Sequence, residues 1–338
     1  MQIGFYVTGS KGSRYADLID QVDLAERSGL GSVWLRERHF HRDHGGRNFF
    51  SSPFVAAAYM AARTRRIRIG IGARILPLDH PIHIAEGAAV LDRISGGRLD
   101  LGIARIGENE LYQHAFGTSE IQARGRFEES LEVLLRAWTG EPFSYEGKHH
   151  RLPRVSVRPT PQQRPHPPLY LVGLSQETLR FGAARGMPLL LAGASPVGAL
   201  RETQNGYRAL LADSGHDPHT VAMPVNRFVY VAETEARAVE ETRTTVMEFI
   251  GRRGSVIRDF LSMNGAEQTY ERLFEEVFII GDPGSCTQRI RALAEQVDLR
   301  HLILTFNYFT IPHDRCRSSM ERFVEHVMPA LDVEASVT

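Results

Sequence analysis

Lysine is almost missing from this 338-residue chain: only Lys11 and Lys148 occur, and the other basic residues are arginines. Schiff-base chemistry needs a lysine whose pKa burial can lower, and a permanently charged arginine cannot replace it. Aldolase-type and pyridoxal-phosphate catalysis are therefore not expected. Cysteine is as scarce. Cys286 and Cys316 are too few for a disulfide framework or a CxxC metal site, and a reducing cytoplasm is the expected compartment. Net charge is absent too, because forty Lys+Arg offset forty Asp+Glu. That argues against nucleic acid or a membrane surface as a partner. No apolar run approaches the roughly 18 residues of a membrane-spanning helix. The first seven residues lack the basic and apolar regions of a signal peptide.

What the chain does have is alternation. Short β-branched runs at 3–7, 32–36, 67–73, 99–104, 169–173, 188–192, 227–232 and 302–306 read as eight strands. Most are nearly continuous in apolar residues, as strands covered on both faces are. Helical patterns lie between them, at 15–28, 53–62, 82–94, 126–139, 176–184, 196–213, 235–251 and 286–296, and a last one at 315–328 closes the series. The fold class is α/β, and strand followed by helix eight times predicts a single (β/α)8 TIM barrel over 1–338. Two insertions break the rhythm. One, at 143–168, holds a β-hairpin turning at Tyr145-Glu146-Gly147-Lys148 and a proline-rich loop. The other, at 252–276, is either a lid or a solvated excursion.

Barrel chemistry sits where strands end, so the residues just past each strand carry the argument. Ser175, with Thr178 three residues on, stands at the start of a helix. A hydroxyl at a helix N-cap beside free backbone N–H groups suits a phosphate, and it also suits capping alone. Arg105, at the end of the fourth strand, could add a bidentate cation, and Arg124 stands at the start of the next helical run. His39, His41 and His44 cluster after strand two. The fifth and sixth strands end in Val172-Gly173 and Ala192-Gly193, which offer no His or carboxylate. A hydrolase metal site is therefore not expected, and one histidine as acid or base suits the loop better. Phe40, Phe49, Phe50, Leu76, Phe306, Tyr308 and Phe309 make the expected mouth apolar, as rim packing or as the walls of a pocket for a flat ring.

The run Val33-Trp34-Leu35-Arg36-Glu37-Arg38-His39-Phe40 resembles the end of strand two in bacterial luciferase-like flavin monooxygenases. So does Leu76-Pro77-Leu78-Asp79-His80-Pro81, continuing to Leu91-Asp92-Arg93-Ile94-Ser95-Gly96-Gly97-Arg98, and so do Phe116-Gly117-Thr118 and Val327-Met328-Pro329. The order of these motifs matches over nearly the whole chain. Glu-Arg-His-Phe-His near Gly45-Gly46 is most similar to the members acting in natural-product biosynthesis. The resemblance implies a monooxygenase in which FMNH2 and O2 form a flavin C4a-(hydro)peroxide that oxygenates a small organic substrate. Reduced FMN would come from a separate flavin reductase, since no GxGxxG follows the first strand, and a homodimer is expected.

Carried over by residue, the resemblance implies that Arg105, Arg124, Ser175 and Thr178 hold the FMN phosphate, next to Leu174. It places a cis Gly72–Ala73 peptide under the isoalloxazine. It makes His39, with Arg38 and His44, the catalytic candidates, although Arg38 occupies the position of the family's better-supported catalytic histidine. The family's reactive cysteine corresponds to Ala104. Two alternatives stay open: hydride transfer with the deazaflavin F420 on the same fold, and a non-catalytic luciferase-like subunit.

Overall fold

The computed structural model describes residues 1–9, 12–40, 50–106, 110–191, 193–252, 270–308, 310–331 and 333. In chain order its elements begin β1 (Gln2–Tyr6), α1 (Tyr15–Arg27), β2 (Ser32–Leu35), α2 (Pro53–Arg63), β3 (Arg68–Ile75), α3 (Pro81–Ile94) and β4 (Leu99–Ala104). Next come α4 (Glu110–Ala115), α5 (Glu120–Thr139), β5 (Phe143–Glu146), β6 (Arg151–Val155), β7 (Leu169–Val172), α6 (Gln176–Ala183) and α7 (Val197–Asp213). The series ends with β8 (Val225–Val231), α8 (Glu235–Arg252), α9 (Tyr270–Glu276), β9 (Phe278–Gly281), α10 (Pro283–Gln296), β10 (His301–Thr305) and α11 (His313–Arg322). Strands and helices alternate as an α/β chain should. Two compact units divide these elements, Trp34–Gly173 as one and Met1–Val33 with Leu174–Thr338 as the other.

In the unit Trp34–Gly173 the strand order is β7-β4-β3-β2, and β3–β4 and β4–β7 pair in parallel. Five of the six residues of β4 are buried, which explains its unbroken apolar sequence. The close packing has a local cause at Gly70. A methyl group there would collide with the Trp34 indole, which is fully buried and meets Tyr170 edge-on at 5.3 Å. Glycine at position 70 is thus required by Trp34, not by backbone freedom. The expected hairpin is present as antiparallel β5–β6. The proline-rich loop after it is tied down by Asp92, a fully buried carboxylate. Asp92 accepts from the backbone N–H of Gln162 (2.7 Å) and Gln163 (2.8 Å) and from the Gln163 amide (2.7 Å).

In the other unit the order is β1-β10-β8-β9, all parallel. Here the sequence reading needs one correction. Of the sixth expected strand, at 188–192, the described residues 188–191 make only isolated bridges, Leu191 pairing with Val225. Farther along the same edge, Phe228–Val231 of β8 is taken by Phe278–Gly281. One edge offers one row of N–H and C=O groups, so the four-residue β9 ends the ladder that Leu191 begins. Of the second insertion, Arg252 closes α8 and Tyr270–Glu276 is helical; residues 253–269, and with them most of the lid reading, lie outside the described residues. Among the described residues no helix is long and apolar enough to cross a membrane.

Candidate active site

The site grows from the ends of β2 and β3. Just past β2 the chain leaves the sheet with Glu37, whose backbone N–H still donates to the Ala73 carbonyl at 3.4 Å. Its side chain, 1% exposed, turns to the end of β3. There Oε2 accepts from the Ile75 N–H at 2.7 Å, and Oε1 accepts from Arg74 and faces His39 Nε2 at 2.7 Å. Arg74 spends its other terminal nitrogen on Asp79 Oδ2 at 2.6 Å, and its buried Nε finds no partner among the described residues. Phe54 lies under the guanidinium, 5.4 Å from ring centroid to Cζ. Arg74 and Glu37 are both nearly out of solvent, so each of these two charges is held mainly by its neighbours.

His39 is fixed from three sides. Its backbone N–H donates to the Tyr112 hydroxyl at 2.7 Å. Its ring meets Phe116 edge-on at 4.9 Å and Tyr112 at 5.8 Å. Phe40 follows with φ 49°, a left-handed turn unusual for a side chain of this size, and packs 5.7 Å from Phe116. Ile106, Tyr112 and Ala123 form the apolar base under this group, with Ile75, Leu78 and Phe116 packed on it. Burial raises the Tyr112 phenol above its usual range, against the His39 N–H it accepts; Tyr112 is thus a neutral hydroxyl at neutral pH. Next to it, burial first and then Arg36 pull the Arg38 guanidinium below its usual range. Arg38 remains a cation and no base.

Glu37, His39, Arg74, Asp79, Ser52 and Phe116 are among the residues lining a pocket of about 290 Å³. That is room for a small organic molecule. Two hydroxyls, two carboxylates, one imidazole and aromatic walls give it both an apolar bed and polar handles. Sequence reasoning quoted Glu37 and Asp79 without giving them a role, and it assigned nothing to Arg74, Ser51, Ser52 or Tyr112. A carboxylate two residues before a histidine is a visible signal; its meeting with Arg74 needs the strand pairing.

The other predicted residues fall as follows. Gly72–Ala73 is cis, as the resemblance implied. Ser175 is the N-cap of α6: its Oγ accepts from the Thr178 N–H at 3.2 Å and lies 2.8 Å from Thr178 Oγ1. Leu174 directly precedes this cap. The pair is brought together in one unit, while Arg105 and Arg124 belong to the other. Arg105 directly follows β4, and Arg124 sits on the exposed side of α5 with Nε 3.1 Å from Glu128. His41 and His44 lie outside the described residues. Among the described residues no group of three or more His, Cys, Asp or Glu could hold a metal ion. Both cysteines are buried, and burial pushes the Cys286 thiol up to about 12, so no described thiol is poised as a nucleophile.

These residues stand at the strand ends of a parallel α/β scaffold. Residues 1–300 match the luciferase-like monooxygenase family, and the chain belongs to it. It is 26% identical over 330 residues to the alkanal monooxygenase alpha chain of Photorhabdus luminescens, covering 91% of this chain and 89% of that one. A flavin-dependent trigonelline monooxygenase, oxygenase component, from Acinetobacter baylyi is 30% identical over 175 residues, covering 51% of this chain and 47% of that protein. The chain thus spans about half the length of that relative. Among solved structures, monooxygenase RslO1 from Streptomyces bottropensis superposes with TM-score 0.83 at 25% identity, covering 97% of this chain and 99% of that one. An F420-dependent secondary alcohol dehydrogenase reaches TM-score 0.78 at 19% identity, covering 97% and 98%. At that identity the likeness concerns fold alone.

Proposed function

We propose that this protein is the oxygenase component of a two-component system. It takes reduced FMN from a separate reductase and uses O2 to oxygenate a small organic substrate, in secondary metabolism. The observation that carries this reading is the His39–Glu37–Arg74 cluster, built at the strand ends beside an aromatic pocket and the Gly72–Ala73 backbone. The relative from Acinetobacter baylyi, called flavin-dependent and an oxygenase component, supports the two-component part.

The residues present fit a phosphate-bearing flavin. At the start of α6 Ser175 is exposed, with its hydroxyl beside that of Thr178, and a helix start of this kind favours an anion. Glu177 in that turn weakens the local field for an anion, so the cations matter. Arg105 and Arg124 enter the proposal through the family resemblance. Reduced FMN, when bound, supplies the electrons with which O2 is activated. The chain's part is to bind, to keep water out and to manage protons. Pro53, Phe54, Leu78 and Phe116 give the pocket its apolar wall, which limits water at the site. His39 is the group that takes up or gives the proton, because its neighbour Arg38 cannot.

Oxygen uptake tests the reading. With reduced FMN the protein should bind the flavin and change the rate and yield of peroxide release relative to free reduced FMN. Substrate turnover with reduced F420, and no effect on reduced FMN, would replace this reading with hydride transfer.

A further inference from the structure

Glu37 does more than staple two strand ends. We propose that it is a positioning residue which fixes the His39 ring as the Nε2–H tautomer, leaving Nδ1 as the nitrogen that exchanges a proton at the site. This rests on His39 as the proton-handling group of the proposed function.

The argument is one of donors and acceptors. The Glu37 side chain is 1% exposed and touches three donors or potential donors: the Ile75 N–H at 2.7 Å, the Arg74 guanidinium, and His39 Nε2 at 2.7 Å. Beside the permanent cation of Arg74 it is a carboxylate, and a carboxylate only accepts. For the 2.7 Å contact to be a hydrogen bond, the hydrogen must therefore sit on Nε2. In a neutral imidazole the lone pair is then on Nδ1. Among the described residues no hydrogen bond engages Nδ1. The ring has little freedom to turn away, with Phe116 at 4.9 Å, Tyr112 at 5.8 Å and the backbone N–H held by the Tyr112 hydroxyl. Arg74 in turn is braced by Asp79, so the carboxylate has one stable place to stand. A purely structural Glu37 would need only the Ile75 and Arg74 contacts; the third contact determines which ring nitrogen can act.

The test reads the tautomer directly. Protein labelled with 15N-histidine, free of flavin, is examined by long-range 15N–1H NMR at a pH where His39 is neutral. Its signals are assigned by their loss in His39→Gln. The expected wild-type spectrum shows Nε2 protonated and Nδ1 bare. A predominant Nδ1–H form, or an even mixture, would overturn the proposal. In Glu37→Gln an amide replaces the charge that favours Nε2–H, and the ratio of Nε2–H to Nδ1–H should fall by about tenfold or more, the scale of a hydrogen bond to a charged group. An unchanged ratio in folded Glu37→Gln would also overturn it. Should that variant not fold, the wild-type spectrum still decides. Failure of wild-type protein to bind reduced FMN would sink the flavin reading alone, since the tautomer is measured without flavin.

Discussion

Strand β3 carries an arginine at each end, and each arginine meets a buried carboxylate, but the two pairs are built differently. At the start of the strand Arg68 grips both oxygens of Asp100, at 2.9 and 2.7 Å. The rest of its guanidinium goes to the carbonyls of Gly97 and Leu99 and to the Gln163 side chain. Every nitrogen of the guanidinium is used. At the end of the strand Arg74 divides itself between Glu37 and Asp79 and its Nε has no partner among the described residues, while Glu37 shares an oxygen with a histidine. The first arrangement is closed and holds strands together. The second is incomplete by its own accounting and borders a pocket. Barrel proteins place stability at the strand starts and chemistry at the strand ends, and β3 shows both ends of that division within eight residues.

The largest effect should come from breaking the chemical end. His39→Asn keeps hydrogen bonding but removes proton transfer near neutral pH. Coupled product formation should fall by about 10²–10⁴-fold, the scale of general acid–base catalysis. Reduced-FMN affinity should survive and hydrogen peroxide release should rise. Full coupled turnover would move the role to His41, to His44 or to the substrate itself.

Breaking the structural end should be felt in stability. Arg68→Ala leaves Asp100 buried beside no partner, which costs about 3–5 kcal/mol when one member of a buried pair is removed. Urea unfolding measures it, and the His39 tautomer should be unaltered in the folded fraction. A loss below 1 kcal/mol would mean that the two ends are not distinct in this way.

The phosphate proposal gives the next effect. Arg105→Ala should weaken reduced-FMN binding by about 2–4 kcal/mol if the charge is buried against the phosphate. An unchanged dissociation constant removes Arg105 from the site.

The smallest effect separates carboxylates by pH. Burial raises the Asp100 carboxyl above its usual range, against the pull of Arg68. Its contribution is fully present below the unfolded pKa of about 3.9 and is lost as pH rises through the folded value. Glu129 has the opposite sign. Burial pushes it up, but the backbone N–H groups of Lys148, His149 and His150 outweigh that and hold it below its usual range. Its contribution is present above about pH 4.5 and is lost as pH falls through the folded value. Glu129→Gln should therefore flatten the acid limb of a stability–pH curve, measured by thermal unfolding, and leave the neutral region with a lower plateau.

Much of the scaffold was legible because strands buried on both faces write themselves as apolar runs, and β4 at Leu99–Ala104 was read to the residue. Short or shared ladders were not. Phe278–Gly281 has only four residues, too few for a period to show, and the 188–192 run is as apolar as any strand, yet its described residues form only bridges. The start of α5 was placed at 126 instead of Glu120 because its first turn carries little apolar signal. Of the candidate residues, the Ser175 cap could be read from local spacing. Glu37 with Arg74 could not, since 37 residues separate them and only strand pairing joins them.

The most direct test of the whole account is an anaerobic titration of the wild-type protein with reduced FMN and, separately, with reduced F420, followed by mixing with O2. The account predicts saturable binding of reduced FMN, no comparable binding of F420, and peroxide release slower than from free reduced FMN. Binding of F420 in preference to FMN, with O2 consumed at the free-flavin rate, would contradict it.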